Sequence, residues 1–357
     1  MPRWLKLGVS FAACASLGTT LLAATAPAAA QSRFDVLVFS KTAAFRHESI
    51  DEGAAALQEM ASQNDFSVEL SEDAAVFQDP AIDRFEVVAF LSTSGDILDE
   101  SQQDGLRSFV ERGGGFVGIH SASDTEYDWE WYGGLVGAYF SDHPPGILEA
   151  EVRKVDAGNP LTSSLPDPWS RADEWYNFRH NPYGEVRTLL RVDEATYEGG
   201  GLGAMHPISW CQHYAGGRSW YSSLGHPPEG YSSSELRDHL LKGVEWAAGA
   251  VTANCTPQAV RSQTSISSRA GFSGRIRSLK PACSNDRVVV LKRKVRGPDT
   301  TIARARSGND GRWTVSTNAR ARSTYALLPE KRFAGSFEKE VTCRAERSRV
   351  LGERSGR

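Results

Sequence analysis

Sulfur is scarce in this chain: five cysteines and three methionines among 357 residues. No Cys-x-x-Cys pair and no His-Glu-x-x-His occurs, so the dense zinc and redox signatures are excluded. Gly-x-Ser-x-Gly is missing, and no Lys-Ser/Thr pair follows a glycine-rich loop, which excludes the serine-hydrolase elbow and the phosphate cradle. Beyond Thr25 no apolar run is long enough to span a bilayer. Histidine is rare as well, at eight residues, yet seven of them fall in or near expected loops.

What is present divides the chain three ways. Arg3 and Lys6 precede an apolar stretch from Leu7 to Thr25 that closes on Pro27-Ala28-Ala29-Ala30, the layout of a signal peptide over residues 1–30 cleaved after Ala30. A membrane anchor is the competing reading of that stretch. The expected location of the mature chain is secreted or periplasmic. Charge splits the whole chain again: 17 Lys and Arg stand against 36 Asp and Glu before Thr256, and 23 against 8 from Thr256 onward. The expected division is an α/β domain over 31–255, a linker over 256–275 and a basic β-sandwich of immunoglobulin-like type over 276–357. In an oxidising compartment the four mature cysteines favour disulfides. The favoured pairs are Cys283 with Cys343 inside the tail and Cys211 with Cys255 in the main domain, with a buried free thiol at Cys211 as the alternative.

Phe34–Ser40 and Phe85–Ser92 are continuous apolar runs of the kind that strands buried on both faces show. Ser49-Ile50-Asp51-Glu52 and Asp99-Glu100-Ser101-Gln102 read as capped helix starts behind them. With Phe66–Leu70 and "GGFVGIH" as further strands, the alternation predicts a doubly wound parallel sheet whose strand ends carry the chemistry. From Ile147 strands follow one another without long helices, at 147–154, 187–192, 208–213 and 219–224, extending the sheet antiparallel. A last helix is expected from Ser234 to about Ala248. In the tail, "RVVVLKRKV", "TTIARARS", "GRWTVST", "STYALLP" and "EVTCRAE" alternate apolar with polar or basic residues, as strands of a small antiparallel sandwich do.

The stretch "RGGGFVGIHSAS" places His120 where an amidotransferase carries cysteine. The glycine run Gly113–Gly115 precedes the strand, so it is a helix-to-strand turn. Three roles are open to His120: general acid or base, metal ligand, or holder of a sugar hydroxyl. Ser121 reads as a small polar cap. Asp124 shares the loop of His120. His47 follows the first strand and His226 the strand ending at Leu224, so parallel strand ends bring His47, His120 and His226 to one crevice, where Glu174 or Asp124 polarises an imidazole. This N/O set suits proton abstraction beside a carbonyl, or ligation of a divalent metal such as zinc. The segment "YDWEWYGG", with Trp129, alternates aromatics with acids and suits a substrate rim.

Phe45-Arg46-His47, Gly118-Ile119-His120 behind its glycine run, Gly137-Ala138-Tyr139-Phe140 with His143-Pro144, Asp173-Glu174-Trp175-Tyr176, Pro207 with Trp210, and Gly217-Arg218 through Gly225-His226 occur in order from about Phe34 to Gly249. Together they resemble the ThuA-like, trehalose-utilisation family. The resemblance implies a flavodoxin-like, class I glutamine amidotransferase-like α/β fold without glutamine chemistry and a role in sugar metabolism, with a carbohydrate or small sugar derivative as ligand. It adds Arg46, His143, Trp210 and Arg218 as substrate contacts beside Trp129. A carbohydrate-binding protein without turnover is the alternative. The tail's cations suit an anionic cell-envelope polymer or attachment to the acidic domain; without interleaved exposed aromatics they do not suit specific nucleic-acid recognition.

Overall fold

The computed structural model describes Met1 and residues 33–78, 80–268 and 271–352, so the expected signal peptide lies outside the described residues. In chain order the α/β region carries β1 (Asp35–Phe39), α1 (Ile50–Gln63), β2 (Ser67–Ser71), β3 (Val87–Leu91), α2 (Glu100–Glu111), β4 (Gly115–Ile119), α3 (Glu130–Val136) and β5 (Phe140–Asp142). There follow β6 (Leu148–Lys154), β7 (Trp169–Asp173), β8 (Asn177–Phe178), β9 (Arg187–Val192), β10 (His206–Tyr214), β11 (Gly217–Ser222) and α4 (Ser234–Ala247). Nine of these strands form one sheet in the order β2-β1-β3-β4-β11-β10-β9-β6-β7. The first five neighbours run parallel, and β10, β9, β6 and β7 continue antiparallel. The result is a mixed α/β fold around a large, parallel-rich central sheet.

Alternation within the apolar runs explains the layering. Val36 and Val38 of β1 point into one core with Leu57 and Met60 of α1 and Leu236 and Leu240 of α4. Leu37 and Phe39 point into the other with Leu106 and Phe109 of α2 and Tyr132 of α3. Both faces are thus covered, which an apolar strand without polar alternation requires. Order reverses between β1 and β3, so the chain leaving β1 and the chain leaving β3 diverge to opposite faces and open a crevice at their carboxyl ends.

The helix starts differ from one another. At α2 the expected capping box forms, with Asp99 accepting from Gln102 N–H at 2.9 Å and Gln102 accepting from Asp99 N–H at 3.0 Å. At α1 it does not: Ser49 is in the helical region without a side-chain cap, and its hydroxyl donates to the Gly225 carbonyl at 3.0 Å. The serine is diverted from its own helix to hold the loop behind β11. Sequence reading also missed α3, β5, β7 and β8, which are short, polar or glycine-bearing.

After α4 come β12 (Ser262–Thr264), β13 (Phe272–Ser278), β14 (Val288–Arg293), β15 (Thr300–Arg306), β16 (Arg312–Val315), β17 (Thr324–Leu328), β18 (Lys331–Ala334), β19 (Glu340–Cys343) and β20 (Glu346–Arg347). They form a three-stranded sheet β12-β13-β16, a four-stranded sheet β15-β14-β17-β20 and the hairpin β18-β19. Phe272, Ile276, Leu291, Trp313 and Leu328 lie in their common core. The segment 256–275 is not a free linker: β12 and the start of β13 fall inside it, and Val260 exchanges backbone hydrogen bonds with the β19 end, at 2.7 Å to Thr342 O and 2.9 Å from Arg344 N–H. Gln258 also bonds both backbone groups of Thr188, continuing the β9 hydrogen bonding past Leu190, where its pairing with β6 ends. Both favoured disulfides are formed, Cys211–Cys255 with 5.3 Å and Cys283–Cys343 with 5.5 Å between Cα atoms.

Candidate functional site

At the carboxyl end of β4 the chain turns so sharply that His120 takes φ 52°, the left-handed region that β-carbon sterics disfavour. Such strain persists only where surroundings impose it. Here Tyr221 on the neighbouring β11 donates its hydroxyl to the His120 carbonyl at 2.8 Å, and Ser123 lies 2.8 Å from the same hydroxyl. The elbow thereby lifts the imidazole to the crevice floor, fully buried. Its Nδ1–H donates to the Ser223 carbonyl at 2.8 Å, which fixes the tautomer and leaves the Nε2 lone pair facing the crevice.

Three further side chains converge on that lone pair. His226 Nδ1 stands 3.1 Å away and Glu174 Oε2 3.6 Å away, while His226 Nδ1 and Glu174 Oε2 are 3.0 Å apart. His47 completes the set, its ring centroid 4.6 Å from that of His120 and 5.1 Å from that of His226. One donor atom from each of the four residues lies within 4.8 Å of all the others. His47 and Glu174 are buried to 6% and 7% exposure, so water screens this cluster little. The four come from the loops after β1, β4, β7 and β11.

The loops are held by a carboxylate that sequence reading passed over. Asp173, at the end of β7, accepts from the backbone N–H groups of Gly225, His226 and Glu174 at 3.1, 3.1 and 3.0 Å, and from Arg171 at 2.8 Å. It fixes the His226 loop and Glu174 relative to one another. Gly225 adopts φ 118°, and a β-carbon there would stand 2.6 Å from the Tyr231 hydroxyl, so no other residue fits without a shift. Two other contributors were missed. Tyr176 donates its hydroxyl to His120 Nε2 at 2.9 Å, and Ser121, expected as a turn cap, places its hydroxyl 3.2 Å from His47 Nδ1. The only signal for Tyr176 was its place in the Asp-Glu-Trp-Tyr segment.

Burial dominates the protonation pattern. It pushes His47 down to about 4, assisted by the charge of His226, and holds His120 well below the ordinary imidazole value, with His47 adding to the effect. For His226 burial also acts downward, but the hydrogen bond and charge of Glu174 outweigh it and the net shift is upward. Glu174 mirrors this: burial would raise it, and His226, His143 and His47 bring it below the usual carboxylate value. A single proton therefore resides on the His226–Glu174 pair beside two neutral imidazoles. Two imidazole nitrogens and a carboxylate oxygen at 3.0–3.6 Å need positive charge between them, supplied by that proton or by a cation. The donor set fits a divalent ion of the zinc type, because His120 and His47 each have their second nitrogen engaged, by Ser223 and Ser121, as ligating histidines do.

Of the remaining expected residues, only His143 reaches the cluster: its Nδ1 is 3.2 Å from Glu174 Oε1 and its side chain is one-third exposed. Asp124 stays outside it, accepting from Tyr127 at 2.6 Å, with burial raising its carboxyl. Arg46 is on the surface, paired with Glu72 at 2.8 Å. Trp129 is buried against Trp131 and Tyr132, so it is core and not a rim. Trp210 is fully buried, stacked on Tyr221 and donating to the Val136 carbonyl at 2.8 Å. Arg218 pairs with Gly115 at the start of β4, so roughly five residues of strand, about 16 Å, separate it from the elbow. His206 and His213, expected near loops, are both inside β10.

The ThuA family profile, described as trehalose utilisation, matches residues 35–247. Among solved structures, a ThuA-like protein of Bacteroides uniformis is similar at 19% identity and TM-score 0.52, over 62% of this chain and 94% of that one. Another from Parabacteroides merdae is similar at 18% identity and TM-score 0.51, over 63% and 93%. At these identities the likeness extends to the fold. A search of curated proteins found no match.

Proposed function

The chain belongs to the ThuA family, and on that premise we propose that it acts on a sugar or glycoside, with keto-sugars as the favoured class, by histidine–carboxylate acid–base chemistry in an exported compartment. The convergence of three imidazoles and the Glu174 carboxylate within 4.8 Å at the sheet's carboxyl end carries this reading. Two formed disulfides, with no described helix long and apolar enough to cross a membrane, agree with the exported location.

Roles follow from the protonation pattern. A proton on carbon beside a carbonyl is acidic enough for a desolvated carboxylate or imidazole to remove, provided the resulting oxyanion finds donors. Glu174 is the base that can approach such a carbon once His226 keeps the shared proton. The His226 imidazolium and the Tyr176 hydroxyl are the donors facing the same space. A divalent cation held by His47, His120, His226 and Glu174 would supply Lewis-acid polarisation of a carbonyl or hydroxyl oxygen. Glutamine hydrolysis has no nucleophile here: the elbow carries His120, and all four cysteines among the described residues are in disulfides.

The test is product analysis by NMR on disaccharides and their keto derivatives, before and after chelation, for the native chain and Glu174→Gln. Turnover lost in the variant while sugar binding persists supports the reading. Sugar binding with no product in the native chain, with or without added zinc, overturns it in favour of a carbohydrate-binding protein.

A further inference from the structure

Three cations of the C-terminal region stand in surface pairs: Arg306 with Asp286 at 2.9 Å, Arg312 with Asp310 at 3.2 Å, and Arg332 with Glu330 at 2.8 Å and Glu340 at 3.1 Å. Arg287 differs. The residue is 1% exposed, and its Nη groups donate to the carbonyls of Cys283, Pro329 and Arg344 at 3.0, 2.8 and 2.7 Å. Its Nε has no partner among the described residues, and no carboxylate there lies within ion-pair distance of it. Carbonyls satisfy N–H groups but do not neutralise charge, so a guanidinium buried in this way leaves positive potential uncompensated. Lys331 repeats the pattern, donating to the carbonyls of Ala282 and Asn285 at 3.1 and 3.2 Å.

Both side chains line one cavity of ≈ 450 Å³, with Arg304, Arg306 and Arg332 around them. Five cations there face two carboxylates, Asp286 and Glu330. We infer that this cavity binds the carboxylate of a uronic-acid unit in an acidic polysaccharide. The N–H groups of Arg287 are taken by carbonyls, so it contributes charge, and the planar fork that matches a carboxylate is that of Arg304, exposed in the lining. Asp286 and Glu330 exclude a site made for dense charge alone, and they are the acceptors that sugar hydroxyls require. The volume lies in the range of small-ligand sites, about 300–1,000 Å³. No aromatic ring lines the cavity, whereas single-stranded nucleic acid is held by stacking on such rings. The inference is independent of the chemistry proposed for the α/β region.

The experiment is calorimetric titration of the full chain with trigalacturonate, with maltotriose, inorganic polyphosphate and single-stranded DNA as comparison probes, each at two salt concentrations. Trigalacturonate is expected to bind and maltotriose not. Arg304→Gln, at an exposed lining position, is expected to weaken binding about tenfold, the loss of a charge-assisted hydrogen bond. Arg287→Met is expected to abolish it; should that variant not fold, Lys331→Gln replaces it with the same expectation of loss. Absence of trigalacturonate binding overturns the inference. So does equal affinity and salt dependence for polyphosphate or DNA, which is general polyanion attraction. Unchanged affinity in Arg304→Gln and Lys331→Gln overturns it as well.

Discussion

In the α/β region the ionisable groups that matter are buried, few and mutually paired; in the C-terminal strands they are many, mostly exposed, and of one sign. Glu174 serves three histidines under a roof of loops, whereas Arg306 sits in water beside Asp286, and Arg332 beside Glu330 and Glu340. Burial amplifies each interaction in the first region and solvent damps it in the second. Counting charges thus says where a partner is attracted, and burial says where protons are moved.

The largest effect expected from this contrast is at the elbow. His120→Ala is expected to lower turnover roughly 10²–10⁴-fold, the range of one acid–base group, with a smaller loss in thermal stability because the buried ring packs on Tyr176 and satisfies the Ser223 carbonyl. A large drop in melting temperature with turnover retained would make the histidine structural. A chain ending at Thr256, which keeps the Cys211–Cys255 disulfide, would test whether the regions are energetically separate. It removes Val260 and Phe337, which pack against Tyr183 and Tyr139, and the Lys280 contact to Glu185. By area the lost packing is worth roughly 2–5 kcal/mol, so the fragment is expected to fold with a lower urea midpoint. An unchanged midpoint would show the contacts to be idle.

Disulfides sharpen the same comparison at intermediate size. Cys211 and Cys255 are 44 positions apart, and closing such a loop stabilises by about 2–4 kcal/mol. The Cys211→Ser, Cys255→Ser double variant is expected to lose that much by urea titration yet keep ion binding, because β10 does not contribute a donor to the site.

The smallest effect expected is a change in pH slope. Burial pushes His239, inside α4, down to about 3. An unfolded chain protonates that histidine near 6.5, so between pH 6.5 and about 3 the unfolded state binds more protons and stability falls as pH falls. Each such site contributes at most about 1.4 kcal/mol per pH unit. His239→Gln should flatten the stability curve between pH 6 and 4.5 by that one site; an unaltered slope would mean the ring is already protonated in the fold.

How much of this the sequence carried depends on which physical property a residue expresses. β1, β3 and β4 were legible because burial on both faces leaves uninterrupted apolar runs. His120 was legible because a strand end is a position that sequence marks. β7 was not, since an edge strand reading WSRAD mixes polar with apolar residues, and with it went Asp173, whose role depends on two N–H groups from the distant Gly225-His226 loop and one from its neighbour Glu174. Trp210 and Arg218 misled for the opposite reason: both stand in segments shared with the family, but one is held by core packing and the other by its place at the starting end of a strand. Type and motif identify a candidate, and only the direction of a side chain distinguishes lining from filling.

The four converging donors also have a temporal meaning. They leave the sheet at its interior strands, β1, β4 and β11, and at its last edge strand, β7, so they meet only after every part of the sheet has been laid down. A chain with β7 undocked keeps three imidazoles but lacks the carboxylate and the Asp173 clamp. Ligand affinity at the site thus reports completion of folding, and any ligand bound there at a hundred times its dissociation constant returns about 2.7 kcal/mol to the finished fold alone. An incomplete fold is then distinguished from a complete one by its occupancy.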